Sequence, residues 1–286
     1  MILPLYKGKG DRSAISSYRP ISLCPCFGKL LERVAHKQLM PHLEDKHLLH
    51  AAQHGFTVGR STMTNLLQYD VYIGQCLAQR HAYDVIAFDF QKAFDKAPHQ
   101  FVIEATASLG IRGKALQFIA SFLANRTQQV KVNNEFSNVC DVVSGIVQGS
   151  VLGPDLFVIF SNSLLFAIPM PLGAFADDIK FAADVTVYTR QEVQSNIDII
   201  AAWAKSRNMP ISVEKSVVMH CGNNNPNHIY TLNGHAMSSV DSFMDLGVVR
   251  SPSSDFTAQC RAVAAKAGKT ASLIRHVFNR GARELL

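Results

Sequence analysis

Apolar residues recur at helical spacing in several separate stretches of the chain. Phe27, Leu30, Leu31, Val34 and Leu39 predict one helix, which Pro41 is expected to end. Ser61 or Thr62 can cap a second, whose apolar face holds Met63, Leu66, Leu67, Ile73 and Leu77. Two further helical segments follow at about 99–109 and 114–124, with Gly110 suited to the left-handed residue after the first. Val193, Ile197, Ile200, Ala201 and Ala204 mark another amphipathic helix. The longest apolar tract, 152–170, is interrupted by Asp155, Ser161, Asn162, Ser163 and Pro169, so it reads as a buried helix rather than a membrane span. Pro154 would stand in its first turn. Residues 256–278 are alanine-rich and basic, with Arg261, Lys266, Lys269 and Arg275, and predict a helical C-terminal piece.

Other stretches change period. Val85, Ile86, Ala87, Phe88 and Phe90 form a short continuous apolar run, as expected of a strand at 83–90 covered on both faces. Val130 and Val132 alternate with polar residues, Asn133-Asn134 makes a turn and 136–143 returns, which predicts a hairpin. Segments 174–176 and 179–182 flank Asp177-Asp178, a second hairpin with two acids at its tip. A strand is expected at 211–219, a hairpin turn at Asn233-Gly234 and a short strand at 246–249. The first twenty residues read as loop, as do 53–60 and the glycine-bearing 145–154. There is no internal repeat or low-complexity tract. Hairpins mixed with helices argue an α+β fold.

Composition narrows this picture. The 286 residues are 48% hydrophobic and 17% charged, enough for a large core and too apolar for a disordered chain. The net charge of +6 and the pI of about 9.0 suit a polyanionic partner but do not specify one. The six cysteines are scattered without CxxC spacing, which fits reduced thiols in an intracellular protein, nuclear or cytoplasmic. The start runs straight into Lys7 and Lys9 without a signal-peptide core, and no membrane attachment or obligatory protein partner is expected.

The chemistry lies with the acids. Joining a nucleotide to a primer end needs the attacking oxygen acidified and the departing pyrophosphate neutralised, and two Mg²⁺ ions about 3.5–4 Å apart can do both. Mg²⁺ prefers carboxylate oxygens, so two or three acids must converge and tolerate their repulsion. Asp177-Asp178 at a hairpin tip suits this, although Asp is common in turns anyway. Asp89 closes an apolar strand, where an unpaired buried acid is costly; a metal would explain it, and so would an N-cap or an ion pair to Lys92.

Five boxes carry a resemblance. Asp89-Phe90-Gln91-Lys92-Ala93-Phe94-Asp95 resembles motif A of the reverse transcriptases of non-LTR, LINE-type (jockey-like) retrotransposons, and Phe175-Ala176-Asp177-Asp178 resembles their motif C. Gly145-Ile146-Val147-Gln148-Gly149-Ser150-Val151-Leu152-Gly153-Pro154 resembles motif B, and Tyr18-Arg19-Pro20-Ile21-Ser22-Leu23 and Gln53-His54-Gly55-Phe56 resemble two finger motifs, all in the family's order. The resemblance implies a right-hand polymerase fold: fingers at 1–82, a palm at 83–250 with an antiparallel sheet backed by helices and a finger hairpin inserted at about 125–143, and at 251–286 the start of a thumb, incomplete in this chain. It implies RNA-directed DNA polymerase activity, with RNA template, DNA primer and dNTPs as partners and two Mg²⁺ as cofactor, Mn²⁺ being able to substitute.

The same resemblance assigns roles. Asp89, Asp177 and Asp178 would hold the metals. The backbone at Phe90 would face the triphosphate, Phe94 would be the steric gate under the sugar, and Gln148 would lie near the incoming nucleotide and template base. Arg19 would grip triphosphate, or else is an ordinary surface cation. Segment 209–222 resembles motif D, with Lys215 a candidate proton donor to pyrophosphate or a surface lysine. Asp245-Leu246-Gly247-Val248 resembles the Leu-Gly turn of the primer grip, and Lys7, Lys9 and Arg60 could contact phosphate. Phe175, Val147 and Asp245 depart from the tyrosine, proline and aromatic residue common at their positions. No endonuclease region precedes the boxes, which would make the chain a fragment or a truncated copy. A catalytically weak or inactive remnant that only binds nucleic acid is the alternative reading, and a metal-dependent nuclease is a third that would not need the Gln148 loop.

Overall fold

In the computed structural model the seven periodic stretches become helices, one further single turn is α-helical, and a five-stranded sheet lies at the centre; the structure describes residues 1–253 and 255–284. The chain opens with β1 (Ile2–Tyr6) and β2 (Tyr18–Ser22), an antiparallel pair where the sequence suggested loop. The loop signals were real but belong to the intervening turn, with Gly8 and Gly10 at positive φ. Helix α1 (Cys26–Asp45) runs through Pro41 instead of ending there. Leu39, Met40 and Leu43 are buried, and their packing anchors the turn in which proline leaves one carbonyl without its helical donor. Helix α2 (Thr62–Ala78) starts from Ser61, which accepts from the Thr64 N–H while Thr64 returns a bond to the Ser61 N–H.

After β3 (Tyr83–Phe88) come the single turn α3 (Ala93–Lys96) and the helices α4 (His99–Ser108) and α5 (Gly113–Leu123). The expected hairpin at 130–143 forms in two pieces: β4 (Arg126–Gln128) pairs with β7 (Cys140–Val142), and β5 (Lys131–Val132) with β6 (Glu135–Phe136) around Asn133 at positive φ. Helix α6 (Leu152–Phe166) is buried along most of its length. Then follow β8 (Leu172–Phe175), β9 (Asp178–Asp184) and α7 (Arg190–Ser206), which Thr189 and Glu192 cap reciprocally. The strand expected at 211–219 is instead β10 (Val217–Cys221), because Ser212–Ser216 close a turn through the Ser216 N–H and Ser212 carbonyl. The small strands β11 (Thr231–Leu232) and β12 (His235–Ala236) flank the Asn233-Gly234 turn, and β13 (Ser238–Ser239) follows. Leu246-Gly247 are not strand but the turn between β14 (Phe243–Asp245) and β15 (Val248–Arg250), and α8 (Thr257–Glu284) completes the described chain.

The central sheet has the order β13-β10-β3-β9-β8, antiparallel except where β13 joins β10. Side chains alternate across it. Ile86, Phe88, Ile179 and Phe181 face the main core with α1, α4, α6 and α7. Tyr83, Val85, Ala182 and Met219 face Tyr69, Ile73 and Cys76 of α2. Both faces are therefore covered, and the free ends of β3 and β9 are the places where polar chemistry can meet solvent. All six cysteines are unpaired. Among the described residues no helix is long and apolar enough to cross a membrane.

Candidate active site

Register brings the acids together. Phe88 of β3 pairs with Ile179 of β9, and one residue beyond that rung stand Asp89 and Asp178. Asp177 occupies the two-residue turn between β8 and β9, after Ala176 at φ +56°. The expectation that Asp89 is a buried acid is not met: its side chain is 42% exposed, because β3 ends as it leaves the core. Its cationic neighbour is Lys215, with Nζ 3.8 Å from Oδ1; among the described residues Lys92, whose backbone is left-handed, makes no ion pair with it. The turn carrying Lys215 also grips the Asp89 backbone: its N–H donates to Ser216 Oγ (3.2 Å) and its carbonyl accepts from the Ser212 N–H (2.8 Å).

The acids repel each other. Surrounding protein raises the Asp177 pKa above its ordinary value, its own backbone hydrogen bond opposes this, Asp89 raises it further and Arg19 lowers it. The Asp178 carboxyl is pushed up to about 6, first by the same crowding and then by Asp177, Asp245 and Asp89. Hard oxygens whose repulsion Arg19, Lys180 and Lys215 offset only in part are of the kind a divalent cation prefers, and such an ion would lower the repulsion. Among the described residues, no group of three or more His, Cys, Asp or Glu side chains is placed so that it could hold a metal ion as it stands. Beside the acids is a cleft of about 250 Å³, lined by Asp89, Asp178, Lys180, Lys215, Asp245 and Leu246 among others.

The 145–154 loop docks on the other side of the segment after Asp89. The Gly145 N–H donates to the Ala97 carbonyl and the Ile146 N–H to that of Phe94. A Cβ at Gly145, which is at φ +95°, would stand 2.6 Å from the Asp95 carbonyl oxygen, so only glycine permits this approach. Gln148 is held at both ends: its carbonyl accepts from the Ser22 N–H of β2 (2.8 Å), and Nε2 donates to Asp95 Oδ1 (2.7 Å). Phe94 stacks on Phe157 (centroids 4.4 Å apart) and meets Phe56 edge-on (6.3 Å). From α1, Glu32 reaches the same loop, its Oε2 accepting the N–H groups of Val151 (2.6 Å) and Leu152 (3.1 Å) where α6 begins.

Not every expected residue is available. The Phe90 ring is buried against Trp203, so only its backbone could face a ligand. Arg60, a candidate phosphate contact, is committed to the carbonyls of Ala51 and Gln53. Lys7 donates to the Ser16 carbonyl (2.7 Å). Arg19 is exposed on β2, close enough to influence Asp177. Asp245 has partners: it forms a buried ion pair with Lys180 of β9, and Arg250 Nε lies 3.3 Å from its Oδ2. Sequence reasoning missed Lys180, Asp95, Glu32 and the part played by Gln53. Only for Lys180 was there a local signal, since strand alternation places it on the face of Asp178.

Comparison with known proteins supplies a context. Residues 7–255 match the family described as reverse transcriptase (RNA-dependent DNA polymerase). The chain is 29% identical, over 223 residues, to a Pol polyprotein of the type-1 retrotransposable element R2 of Popillia japonica, covering 73% of this chain and 30% of that protein. It is 28% identical over 252 residues to the RNA-directed DNA polymerase of the mobile element jockey of Drosophila funebris, covering 82% of this chain and 27% of that one. The chain thus spans less than a third of the length of these relatives. Among solved structures it resembles telomerase of Candida albicans in complex with a telomeric RNA fragment, with a TM-score of 0.59 and 11% identity over 90% of this chain and 46% of that one. Apo telomerase of Candida tropicalis gives 0.54 and 14% over 78% and 45%. At these identities the likeness shows the fold alone, the right-hand polymerase fold.

Proposed function

The chain belongs to the reverse transcriptase (RNA-dependent DNA polymerase) family, and on that premise we propose that it adds deoxynucleotides to a primer 3′-hydroxyl along an RNA template, as part of a retrotransposon-derived polymerase. The observation that carries this reading is the meeting of Asp89 with Asp177 and Asp178 at the ends of paired strands, where Asp89 raises the proton affinity of Asp177 and both raise that of Asp178. Members of this family generally use a divalent metal; here two Mg²⁺ would be held by Asp89, Asp177 and Asp178. Bound there, they supply acidification of the attacking hydroxyl and neutralisation of the leaving pyrophosphate.

The chain's other residues bind and orient. Arg19, which acts on Asp177, and Lys215, beside Asp89, would receive the triphosphate, and Lys215 could return a proton to pyrophosphate. Phe94, fixed by its stack on Phe157, would exclude a 2′-hydroxyl by bulk. Gln148 would meet the nucleobase, and the Phe90 backbone the phosphates. Segments 1–82 would form the fingers, 83–250 the palm with the 125–143 hairpin belonging to the fingers, and 251–284 would lead into the thumb. RNA as template is supported by the RNA held by the Candida albicans telomerase.

Primer extension on an RNA template with the purified chain tests the proposal. Mg²⁺-dependent dNTP incorporation is expected, and Asp177→Asn should abolish it. Full activity in that variant would sink the metal assignment. RNA binding without incorporation in the parent would favour the binding-only remnant.

A further inference from the structure

Ala176 immediately precedes Asp177, and its backbone stands at φ +56°. In a two-residue hairpin turn the first central position with positive φ normally belongs to glycine, asparagine or aspartate. Alanine there costs about 1 kcal/mol or more, and such a conformation persists only where its surroundings over-determine it. The surroundings here come from a segment far away in the chain. Residues 52–54 run parallel to β8: the Ala174 N–H donates to the Ala52 carbonyl (3.0 Å), and the His54 N–H to the Ala174 carbonyl (2.9 Å).

Past Ala174 the two backbones diverge, and one side chain continues the ladder. Gln53 Oε1 accepts from the Ala176 N–H (3.0 Å) and from the Gly55 N–H (2.8 Å), while Nε2 donates to the Ala176 carbonyl at a longer 3.5 Å. The partners settle the amide's orientation, because two backbone N–H groups can be met only by its oxygen and a carbonyl only by its NH₂. Gln53 is 1% exposed, so the water that could replace these bonds is excluded. Gly55 completes the fit: a Cβ there would lie 2.4 Å from the Ala176 nitrogen and 3.0 Å from the Phe175 carbonyl carbon. The N–H and the carbonyl of Ala176, on the two peptide units that flank its Cα, are thus both met by a single buried carboxamide.

We propose that Gln53 is a positioning residue for the reaction, holding Ala176 in its left-handed conformation so that Asp177 is presented toward Asp89. The inference rests on the assignment of Asp177 to the active site. Misplacing a reacting group by about 1 Å can cost on the order of 10²-fold in rate. Gln53→Met keeps the side chain's length and removes its polar atoms. It is expected to lower kcat about 10²-fold with KM for dNTP changed less than about threefold. It should also need about tenfold more Mg²⁺ to raise the melting temperature in the absence of nucleotide, a readout independent of turnover. The decisive variant is the double Gln53→Met/Ala176→Gly. Glycine adopts positive φ unaided, so the double should recover at least about tenfold of the lost kcat, which repair of general packing would not do.

A folded Gln53→Met with parental kcat and parental Mg²⁺ response overturns the proposal, and so does a loss that Ala176→Gly leaves unrepaired. If Gln53→Met does not fold, Gln53→Glu takes its place: it keeps shape and acceptor but sets a negative charge against the Ala176 carbonyl, and the same loss and rescue are expected. Asp177→Asn in the same assay separates the two levels. Activity retained there removes the active-site reading itself, whereas activity lost there and unchanged in Gln53→Met removes only the role of Gln53.

Discussion

Removing either member of the Lys180–Asp245 pair should destabilise the protein far more than removing both. Lys180 and Asp245 are 5% and 6% exposed, and the pair bridges β9 to the β14–β15 hairpin across the floor of the cleft. Breaking a buried pair typically costs about 3–5 kcal/mol, because the survivor is left as an uncompensated charge. The neighbours decide where each variant falls. In Lys180→Met, Asp245 still has Arg250 Nε at 3.3 Å, so a loss near 3 kcal/mol, the lower end of that range, is expected. In Asp245→Leu, Arg250 keeps Asp70 at 2.5 Å, but Lys180 loses its one ion-pair partner and keeps the face of the Tyr69 ring, 4.8 Å from its nitrogen, and the more distant Asp70 and Asp178. That loss should approach about 5 kcal/mol. The double Lys180→Met/Asp245→Leu should return to within about 1 kcal/mol of the parent, since apolar replacement of a whole buried pair is often neutral. Urea denaturation at unchanged slope measures all four proteins. Single losses under about 1 kcal/mol, or a double loss equal to the sum of the singles, would refute the reasoning.

Three further outcomes are expected. Phe94→Val should admit ribonucleotides more readily, read as a reduced ratio of kcat/KM for dNTP over rNTP; an unchanged ratio removes the gate role. Glu32→Ala leaves the N–H groups of Val151 and Leu152 without their acceptor and should cost about 2 kcal/mol in the same denaturation assay, whereas a loss below about 0.5 kcal/mol would mean that solvent replaces the carboxylate. Asp184 is pushed up by burial, but bonds from Thr186 and His81 outweigh this and hold its carboxyl below the ordinary value of 3.8. With a depressed folded-state pKa, its stabilisation is complete above 3.8 and fades as pH falls through the folded value, so Asp184→Asn should show a shallower acid-unfolding limb by circular dichroism.

What the sequence disclosed depended on the range of the interaction. Helix α7 and the turn at Asn233-Gly234 were legible because period and capping are local. Asp177-Asp178 was legible for the same reason, being a short box between apolar flanks. Asp89 was found, but its environment was misread: an apolar run says that a strand is covered, not where the cover stops. The strand at 211–219 failed because Ile211 makes only an isolated bridge to Phe90 before the Ser212–Ser216 turn. The pairing of Asp245 with Lys180, of Gln148 with Asp95 and of Gln53 with Ala176 joins residues far apart in sequence. Asp245 therefore looked like a mere departure where an aromatic residue is common, although in this chain it has its own counter-ion.

The pairing of β3 with β9 has a consequence for how the protein comes into being. Asp89 and Asp178 are brought together by a non-local contact, with α3 to α6 and β4 to β8 lying between them in the chain. Contacts of that kind carry a large loop-closure cost and form late. A ribosome therefore exposes the first acid well before the second exists, and a partly folded chain holds the acids apart. Capacity to bind a divalent ion would then report the completion of folding, and ion excess during refolding should favour the finished sheet over compact intermediates.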